Sequence, residues 1–286
     1  MMVDIQSIDL GSKEYPTLLS LIKGPPERIY YSGNIDALSY PTIAIVGSRK
    51  STEYGRWAAY TIAKRLSEHG VSVVSGMAQG IDSWAHKGAL AGGTPTIAVL
   101  GTGLDYCFPA ANKNLMAEIS EKGLLLTEYE LGTRPAKYTF PQRNRIISGL
   151  SYATIIAEAN LKSGSLITAE FAADQGREVY AVPGNINRTS SIGCNKLIAD
   201  GARPIVFIDD ILRDLNIKEK EGSVISKSLS KEENKMVSIL SKHGELSINA
   251  LSEKMELSIE KTLSAVTILE MKGIIITSAG KILIAK

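Results

Sequence analysis

Seven short runs of β-branched and other apolar residues alternate along the chain with longer stretches of helical periodicity. Between the first two runs, Ala58, Ile62 and Leu66 recur at helical spacing, and Gly70 ends the helix. Strands that alternate with helices and lack period-two polarity pair as a mostly parallel sheet with both faces covered. The sequence therefore predicts a doubly wound α/β domain. Its predicted strands span residues 42–46, 71–74, 96–100, 124–129, 153–157, 178–182 and 204–207.

Polarity divides the 286 residues into a large and a small domain. We place the α/β domain at 41–215, after a lead-in segment at 1–40, and a polar, serine-containing linker at 216–230. Beyond the linker, residues 231–286 contain apolar patterns for three helices and a final hairpin. Three helices and a hairpin indicate a small C-terminal winged-helix domain.

The charge of this predicted winged helix is balanced. From Lys231 onward there are eight lysines and seven glutamates, and the third predicted helix has two of each. A helix that reads the groove of duplex DNA normally has an excess of cations to meet phosphates. We therefore favour a protein-binding or accessory role for this domain over duplex binding.

Glycine- and serine-rich loops follow five of the predicted strands. In a parallel sheet these loops share the carboxyl edge, where ligands bind and where helix amino termini point their free N–H groups. One such turn alone is more often a packing device, but five in register predict an extended anion-binding rim. Asp82, which opens a predicted helix after one loop, is better explained as a helix cap. The loops span residues 47–51, 75–82, 101–103, 162–170 and 183–193.

A cluster of cations and aromatic rings precedes the fifth predicted strand. This cluster contains four cations and no acid, with Tyr138 and Phe140 interleaved among them. A cation can neutralise a phosphate, and an aromatic ring can stack on an unpaired base. The cluster therefore indicates nucleic-acid binding on a nucleotide-binding scaffold. Its cations are Arg134, Lys137, Arg143 and Arg145.

Several kinds of catalytic and cofactor site are missing from the sequence. No G-x-x-x-x-G-K-[ST] loop is present, and the first loop, GSRKS, lacks the G-x-G-x-x-G pattern of a dinucleotide site. The three histidines have no acidic or cysteine partners at metal-ligand spacing, and no G-x-S-x-G nucleophile elbow occurs. We therefore expect no cofactor, no metal and no hydrolytic triad.

Net charge and cysteine content limit the compartment and the kind of partner. The formal net charge is +2, so a site for a polyanion must be a local patch. Cys107 and Cys194 are far apart, and the sequence shows neither a signal peptide nor a long apolar run. We expect a cytoplasmic protein with no membrane partner.

Six segments of the chain together resemble the DNA-processing protein A family, also called DprA or Smf. They are GSRKSTEYGR, VVSGMAQGIDSWAHKGAL, VLGTGLDYCFP, FPQRNRIISGLS, KSGSLITAEFAADQGREVYAVPGN and GCNKLIADGA, within a match from about Tyr15 to Leu212. The resemblance implies an extended Rossmann-like domain without catalysis or a nucleotide cofactor. It further implies a dimer that binds and protects incoming single-stranded DNA and loads the RecA recombinase onto it in natural transformation. Some members have a helical, SAM-like domain at the amino end, which we expect to be missing here.

The resemblance also implies which residues form the DNA pocket. Arg49 and Lys137 would supply charge, Phe140 a stacking face, and the glycine-serine loops N–H groups and hydroxyls for phosphate oxygens. Asn144 and Arg145 could equally be inner structural residues, because RNRIISGLS is predicted to open a helix against the sheet. The implied pocket residues are Gly47, Ser48, Arg49, Gly76, Gly80, Ile81, Lys137, Phe140, Arg143, Asn144, Arg145, Lys162, Ser163, Gly164 and Ser165.

Two enzyme classes are alternatives to a DNA-binding mediator. The loop SGSLITAE, which ends at Glu170, loosely resembles the loop of LOG-type phosphoribohydrolases that cleave nucleoside monophosphates, but serines replace its second and third positions. For Glu170 itself we favour an interaction with the dipole of its own helix. A nicotinamide-dependent oxidoreductase would need the dinucleotide fingerprint that the chain lacks. Release of free adenine from AMP would distinguish the hydrolase from the mediator.

Overall fold

The computed structural model describes residues 5–217, 229–271, 274–278 and 280–284, and the chain divides into two units, Met1–Glu219 and Lys220–Lys286. The boundary falls within the predicted linker at 216–230, most of which, 218–228, lies outside the described residues. Each unit has apolar core residues of its own. The large and the small unit are therefore described separately.

One nine-stranded sheet forms the centre of the large unit. Seven of its strands pair in parallel, and they overlap the seven predicted runs. They are β3 (Thr42–Gly47), β4 (Ser72–Ser75), β5 (Ile97–Val99), β6 (Leu124–Thr127), β7 (Ala153–Glu158), β8 (Glu178–Ala181) and β9 (Arg203–Pro204). These seven lie in the order β6-β5-β4-β3-β7-β8-β9. β4, β6 and β7 are buried at every position, which is why their sequences are continuous apolar runs without alternation.

Two further strands come from the segment that the sequence assigned to a lead-in. β1 (Gln6–Asp9) pairs antiparallel with β2 (Arg28–Gly33), and β2 pairs antiparallel with β6, so β1 and β2 extend one end of the sheet. The short helix α1 (Thr17–Ser20) lies between them in sequence, and its Leu19 is fully buried in the core. Where they are described, residues of the 1–40 segment therefore complete the sheet.

Helices cover both faces of this sheet. On one face, Ile43 and Ile45 of β3 pack with α2 (Glu53–Glu68), α3 (Ile81–Gly92) and α8 (Ile208–Asp214). Ala44 and Val46 point to the opposite face, because successive residues of a strand alternate. There they pack in a core with residues of α5 (Thr139–Gly149), α6 (Gly164–Asp174) and α7 (Ile192–Ala199), while α4 (Lys113–Lys122) packs near β6 and α3. The predicted doubly wound, Rossmann-like α/β fold is confirmed.

Among its described residues, the small unit contains three helices and a three-stranded antiparallel sheet. The helices are α9 (Lys231–His243), α10 (Ile248–Met255) and α11 (Ile259–Met271), and the strands are β10 (Leu246–Ser247), β11 (Ile275–Ser278) and β12 (Lys281–Ile284). Ser230 and Glu233 form a capping box that begins α9. Met236, Leu240, Leu251, Val266 and Leu269 are buried in a common core. The three helices and the β11–β12 hairpin occur where the sequence predicted them, and the winged-helix arrangement stays a prediction.

Candidate nucleic-acid interface

An open cavity of about 730 Å³ lies at the carboxyl edge of the large unit's sheet. The loops after β3 and β7 and the first turns of α5 and α6 line it. Segments that are distant in sequence converge there because the carboxyl ends of parallel strands meet at one edge. Eleven of the fifteen residues implied for the DNA pocket line this cavity: Gly47, Ser48, Arg49, Lys137, Phe140, Arg143, Asn144, Lys162, Ser163, Gly164 and Ser165.

The other four implied residues, Gly76, Gly80, Ile81 and Arg145, do not line the cavity. Ile81 is fully buried in the core beside β3, so it has no surface to offer to DNA. Arg145 forms a largely buried ion pair with Glu128, which corresponds to the inner structural role considered for it. Gly76 and Gly80 lie in the loop after β4, and their contacts support neighbouring loops.

The buried carboxylate of Glu158, at the end of β7, holds the loop that follows β3. It accepts hydrogen bonds from the backbone N–H of Thr52, at 3.0 Å, and from the Thr52 hydroxyl. The same threonine caps α2, since its hydroxyl oxygen accepts from Gly55 N–H at 3.1 Å. The Glu158 backbone carbonyl also accepts from Ser48 N–H at 2.8 Å. Glu158 therefore fixes both ends of the loop that presents Arg49, although nothing in the sequence indicated this role beyond its place at a strand end.

Gly80 brings the loop after β4 into contact with this same β3 loop. Its φ is +86°, in the left-handed region that favours glycine, and a Cβ at this position would clash with the Ser48 carbonyl oxygen. The next residue, Ile81, donates its N–H to that carbonyl at 3.2 Å. Gly80 thus packs closely against the backbone of Ser48 and Arg49. This close approach explains why the motif has a glycine at this position, without a contact to a ligand.

Arg143 and Asp82 are both buried beneath the cavity, and their charges interact. Arg143 is only 4% exposed, and its Nη1 donates to the carbonyl oxygen of Gly76 at 2.6 Å and to that of Val99. Asp82 accepts from the N–H groups of Gly76, at 3.2 Å, and Ala78, at 3.3 Å. Burial raises the pKa of the Asp82 carboxyl and Arg143 opposes that shift, while burial lowers the pKa of Arg143 to about 10. At neutral pH Arg143 is therefore a structural cation.

The predicted capping role of Asp82 is wrong. α3 has Gly80 at its N-cap position, with no side-chain capping hydrogen bond, and Asp82 lies inside the first turn. Its carboxylate instead reaches back to the loop after β4, because the buried guanidinium of Arg143 and two free N–H groups lie there. The sequence offset of a cap could not distinguish these two partners.

Aromatic rings form part of the cavity wall. The Arg49 guanidinium lies over the Phe140 ring, 5.4 Å from its centroid, at a distance typical of a cation–π contact. Phe108, which the sequence did not single out, packs against Phe140 with ring centroids 5.3 Å apart and is 43% exposed. It lies on the loop after β5, whose GTG turn was predicted to belong to the rim. The cavity therefore offers two adjacent rings.

The charge of the cavity lining is positive. The lining residues include five cations and one acid. The acid is Asp82, which is buried and interacts with the charge of Arg143, so the four exposed cations have no exposed acid beside them in the lining. These are Arg49, Lys50, Lys137 and Lys162.

The amino terminus of α6 meets the cavity as well. Ser163 is its N-cap residue, and the Ser163 and Ser165 hydroxyls are 2.7 Å apart. The side-chain amide of Asn144 donates to the Gly164 carbonyl at 3.3 Å, which joins α5 to this turn. A helix amino terminus favours an anion, since its first N–H groups and the helix dipole both point toward it. The serine loop is therefore suited to a phosphate.

A parallel α/β sheet with exposed cations, aromatic rings and a helix amino terminus at its carboxyl edge defines a Rossmann-like protein built to bind a polyanion or nucleotide there. Comparison with protein families gives the particular assignment. The family model of DNA recombination-mediator protein A matches residues 6–216, and the chain belongs to this family. The family resemblance found in the six sequence segments is thus confirmed.

Individual relatives agree with this family. The DNA processing protein DprA of Streptococcus pneumoniae is 46% identical over 200 residues, which cover 70% of this chain and 71% of that protein. The X-ray structure of the S. pneumoniae protein is similar with a TM-score of 0.71, 43% identity and coverage of 74% of both chains. DNA processing protein A from Helicobacter pylori, described for its single-stranded DNA binding mode, has a TM-score of 0.70 and 32% identity, and covers 77% of this chain and 99% of that one.

Among the residues that the structure describes, no group of three or more histidine, cysteine, aspartate or glutamate side chains could hold a metal ion. Within the same ranges, no helix combines the length and the apolar character needed to cross a membrane.

Proposed function

We propose that the large unit binds single-stranded DNA in the cavity at the carboxyl edge of its sheet. The observation that carries this proposal is the lining itself, in which four exposed cations and two aromatic rings meet while the acid is buried. Exposed cations neutralise phosphates, and aromatic faces stack on unpaired bases. The printed description of the H. pylori relative, which names single-stranded DNA, supports the same ligand.

Each part of the lining has a role in this proposal. Arg49, Lys50, Lys137 and Lys162 meet phosphate oxygens, as do the N–H groups and hydroxyls of the Ser163–Ser165 turn. Phe108 provides the open stacking face, and one face of Phe140 is occupied by the Arg49 guanidinium. Because these contacts reach phosphates and ring faces, binding depends little on base sequence.

We expect binding to weaken with salt in proportion to these cations. Four neutralised phosphates on a single strand give a slope of log affinity against log salt of roughly −3. Fluorescence anisotropy of labelled oligo-dT, titrated at several salt concentrations, measures this slope, and a duplex of the same length is the control. A slope near zero, or equal affinity for the duplex, would contradict the proposed cavity.

Beyond binding, we propose that the protein acts as a recombination mediator and not as an enzyme. In this role a homodimer protects incoming single-stranded DNA in natural transformation and helps to load RecA. Membership of the recombination-mediator family supports this role. The test is RecA filament assembly on DNA coated with single-strand-binding protein, with light scattering for the dimer. A protein that leaves the assembly rate unchanged would not be a mediator.

The hydrolase alternative gains no support from the position of Glu170. This residue lies in the second turn of α6, is exposed, and is not among the residues that line the cavity. A carboxylate acting on a bound nucleotide would have to reach the reacting atoms in the cavity. Incubation with AMP and detection of free adenine remains the direct test, and we expect no release.

For the small unit we propose a protein-binding or accessory role. The outward side of α11 carries apolar residues, since Ile259, Leu263 and Ile268 are 53%, 54% and 45% exposed. Glu260 and Glu270 are exposed on the same helix, beside one exposed cation among its described side chains, Lys261. A helix of this composition has few groups to meet phosphates and offers apolar area to a protein.

We expect the isolated small unit, which has its own buried core, to bind duplex DNA no more tightly than tens of micromolar at physiological salt, the range of weak non-specific binding. Anisotropy of a labelled duplex checks this, with the large unit ending at residue 217 as the comparison. Saturable binding below about 1 micromolar would show that this unit contacts duplex DNA.

A further inference from the structure

A pair of exposed aromatic rings lies at the start of α2, outside the cavity lining. Tyr54 and Trp57 stack with ring centroids 6.0 Å apart and an interplanar angle of 26°, and they are 48% and 61% exposed. Neither residue lines the cavity. The Tyr54 hydroxyl donates to the Pro183 carbonyl oxygen at 2.9 Å, which fixes this ring in place. The two rings therefore form an exposed aromatic surface, here called the platform, in which a hydrogen bond fixes Tyr54.

The platform follows the cavity along the carboxyl edge of the same sheet. β7 lies between β3 and β8, and the loops after β3 and β7 already line the cavity. Pro183, which holds Tyr54, begins the loop after β8, about 5 Å further along because adjacent strands have that spacing. Lys50, in the cavity lining, precedes Tyr54 by only four residues, which span at most about 14 Å. A strand leaving the cavity on this side meets the platform next.

The charge around the platform fits a polyanion. The loop after β8 and the helix that follows it, residues 183–199, contain Arg188 and Lys196, of which Lys196 is paired with Asp200 just beyond the helix. Arg56 is exposed on the first turns of α2, where its Nε donates to the Ser51 hydroxyl oxygen at 3.2 Å. Glu53 is an acid of the same turn. Arg56 and Arg188, with one acid and two open rings, suit a phosphate chain with unpaired bases.

We propose that Tyr54 and Trp57 form a second stacking platform for single-stranded DNA that extends beyond the cavity. This role of the platform rests on the proposed DNA-binding function. It identifies residues that the strand would contact after it leaves the cavity. It also gives a role to the loop at 183–193, one of the five anion-binding loops indicated by the sequence, whose residues do not line the cavity. A strand long enough to leave the cavity would stack a base on Trp57.

Tryptophan fluorescence tests the contact directly. The chain has two tryptophans, and Trp84 packs edge-on against Tyr60 with Lys87 Nζ 4.7 Å from its ring centroid. The substitution Trp84→Phe therefore leaves Trp57 as the only tryptophan, whose emission can be excited apart from that of the tyrosines. We expect oligo-dT of about 16 nucleotides to quench it and oligo-dT of about 4 nucleotides to leave it unchanged. Binding of the longer strand by anisotropy without any quenching would overturn the platform.

Affinity gives a second, independent readout. Trp57→Ala should weaken binding of the longer oligo-dT by roughly 5- to 100-fold and leave the shorter one unchanged. Tyr152→Ala is the matched control, because Tyr152 is 51% exposed and precedes β7 at the opposite, amino edge of the sheet. If Trp57→Ala binds the long strand as tightly as wild type does, the proposal is wrong. That conclusion holds even if light scattering shows that the variant alters contacts between copies of the protein. Failure of the wild type to bind either strand would instead remove the proposed function itself.

Discussion

Replacing Arg143 by methionine is expected to destabilise the large unit by about 3–5 kcal/mol, the cost of leaving a buried charge without compensation. The guanidinium lies beside Asp82 and donates to the carbonyl oxygens of Gly76 and Val99. Methionine keeps much of the volume but no donor, so a buried carboxylate and two buried carbonyl oxygens lose their partner. Thermal unfolding followed by circular dichroism should show a midpoint lower by roughly 10 °C or more.

Two further variants distinguish the contribution of these buried charges to stability from that of an exposed ion pair. Lys196→Ala removes an exposed pair with Asp200, whose side chains are 61% and 55% exposed, and should change stability by less than about 1 kcal/mol. The double variant Asp82→Asn, Arg143→Met removes both charges and should recover part of the loss, because no uncompensated charge remains. If Arg143→Met unfolds at the wild-type temperature, Arg143 is not the structural cation described here.

Replacing both Arg49 and Lys137 by alanine is expected to reduce single-stranded DNA affinity by about 100-fold or more. A hydrogen bond to a charged group contributes about 1.5–3 kcal/mol, and each factor of ten in affinity corresponds to about 1.4 kcal/mol. Both side chains are exposed in the cavity lining, so their removal should leave the fold intact. Anisotropy of labelled oligo-dT at fixed salt measures the loss, which should be equal for other base compositions, since phosphate contacts carry no sequence information.

The control for this double variant must remove the same net charge elsewhere. Lys64 and Lys122 are exposed helical lysines, 45% and 59% exposed, each paired with a glutamate one turn away. Lys64→Ala, Lys122→Ala has the same formal charge as the cavity variant and should bind oligo-dT within about a factor of two of wild type at physiological salt, because screening weakens distant charges. An equal loss in both double variants would mean that overall charge, and not the cavity, holds the strand.

The parallel strands and the loops after them could be predicted from the sequence because burial on both faces leaves continuous apolar runs. The strands β1 and β2 could not. β1 buries one residue of four, Ile8, and β2 buries two of six, Ile29 and Ser32, with two half-buried tyrosines between them, so neither forms such a run. Their place in the sheet depends on pairing with β6, which is a contact distant in sequence.

Those features of the candidate site that could not be predicted from the sequence also depend on contacts between distant parts of the chain. Glycine-serine loops and the cation cluster predicted where the cavity would lie, since topology alone brings carboxyl ends together. Glu158 and Asp82 act through partners far away in the chain, Thr52 and Arg143, and no local pattern reveals such a contact. Phe108 lies beyond the predicted GTG turn, at a position that carried no signal of its own, and only its packing against Phe140 places it at the cavity.

The two outer strands of the sheet bear on how the protein behaves at high concentration. A nine-stranded sheet offers two open edges, and an open edge is a template for strand addition by another chain. Here β1 has four residues and β9 only two, the second of which is Pro204, with no backbone N–H to donate. Arg28 and Asp9 place an exposed ion pair at the β1–β2 end. Edge strands this short, with an exposed ion pair at one and a proline at the other, offer few free backbone groups for pairing with another chain. The nine-stranded sheet is therefore protected against edge-to-edge aggregation.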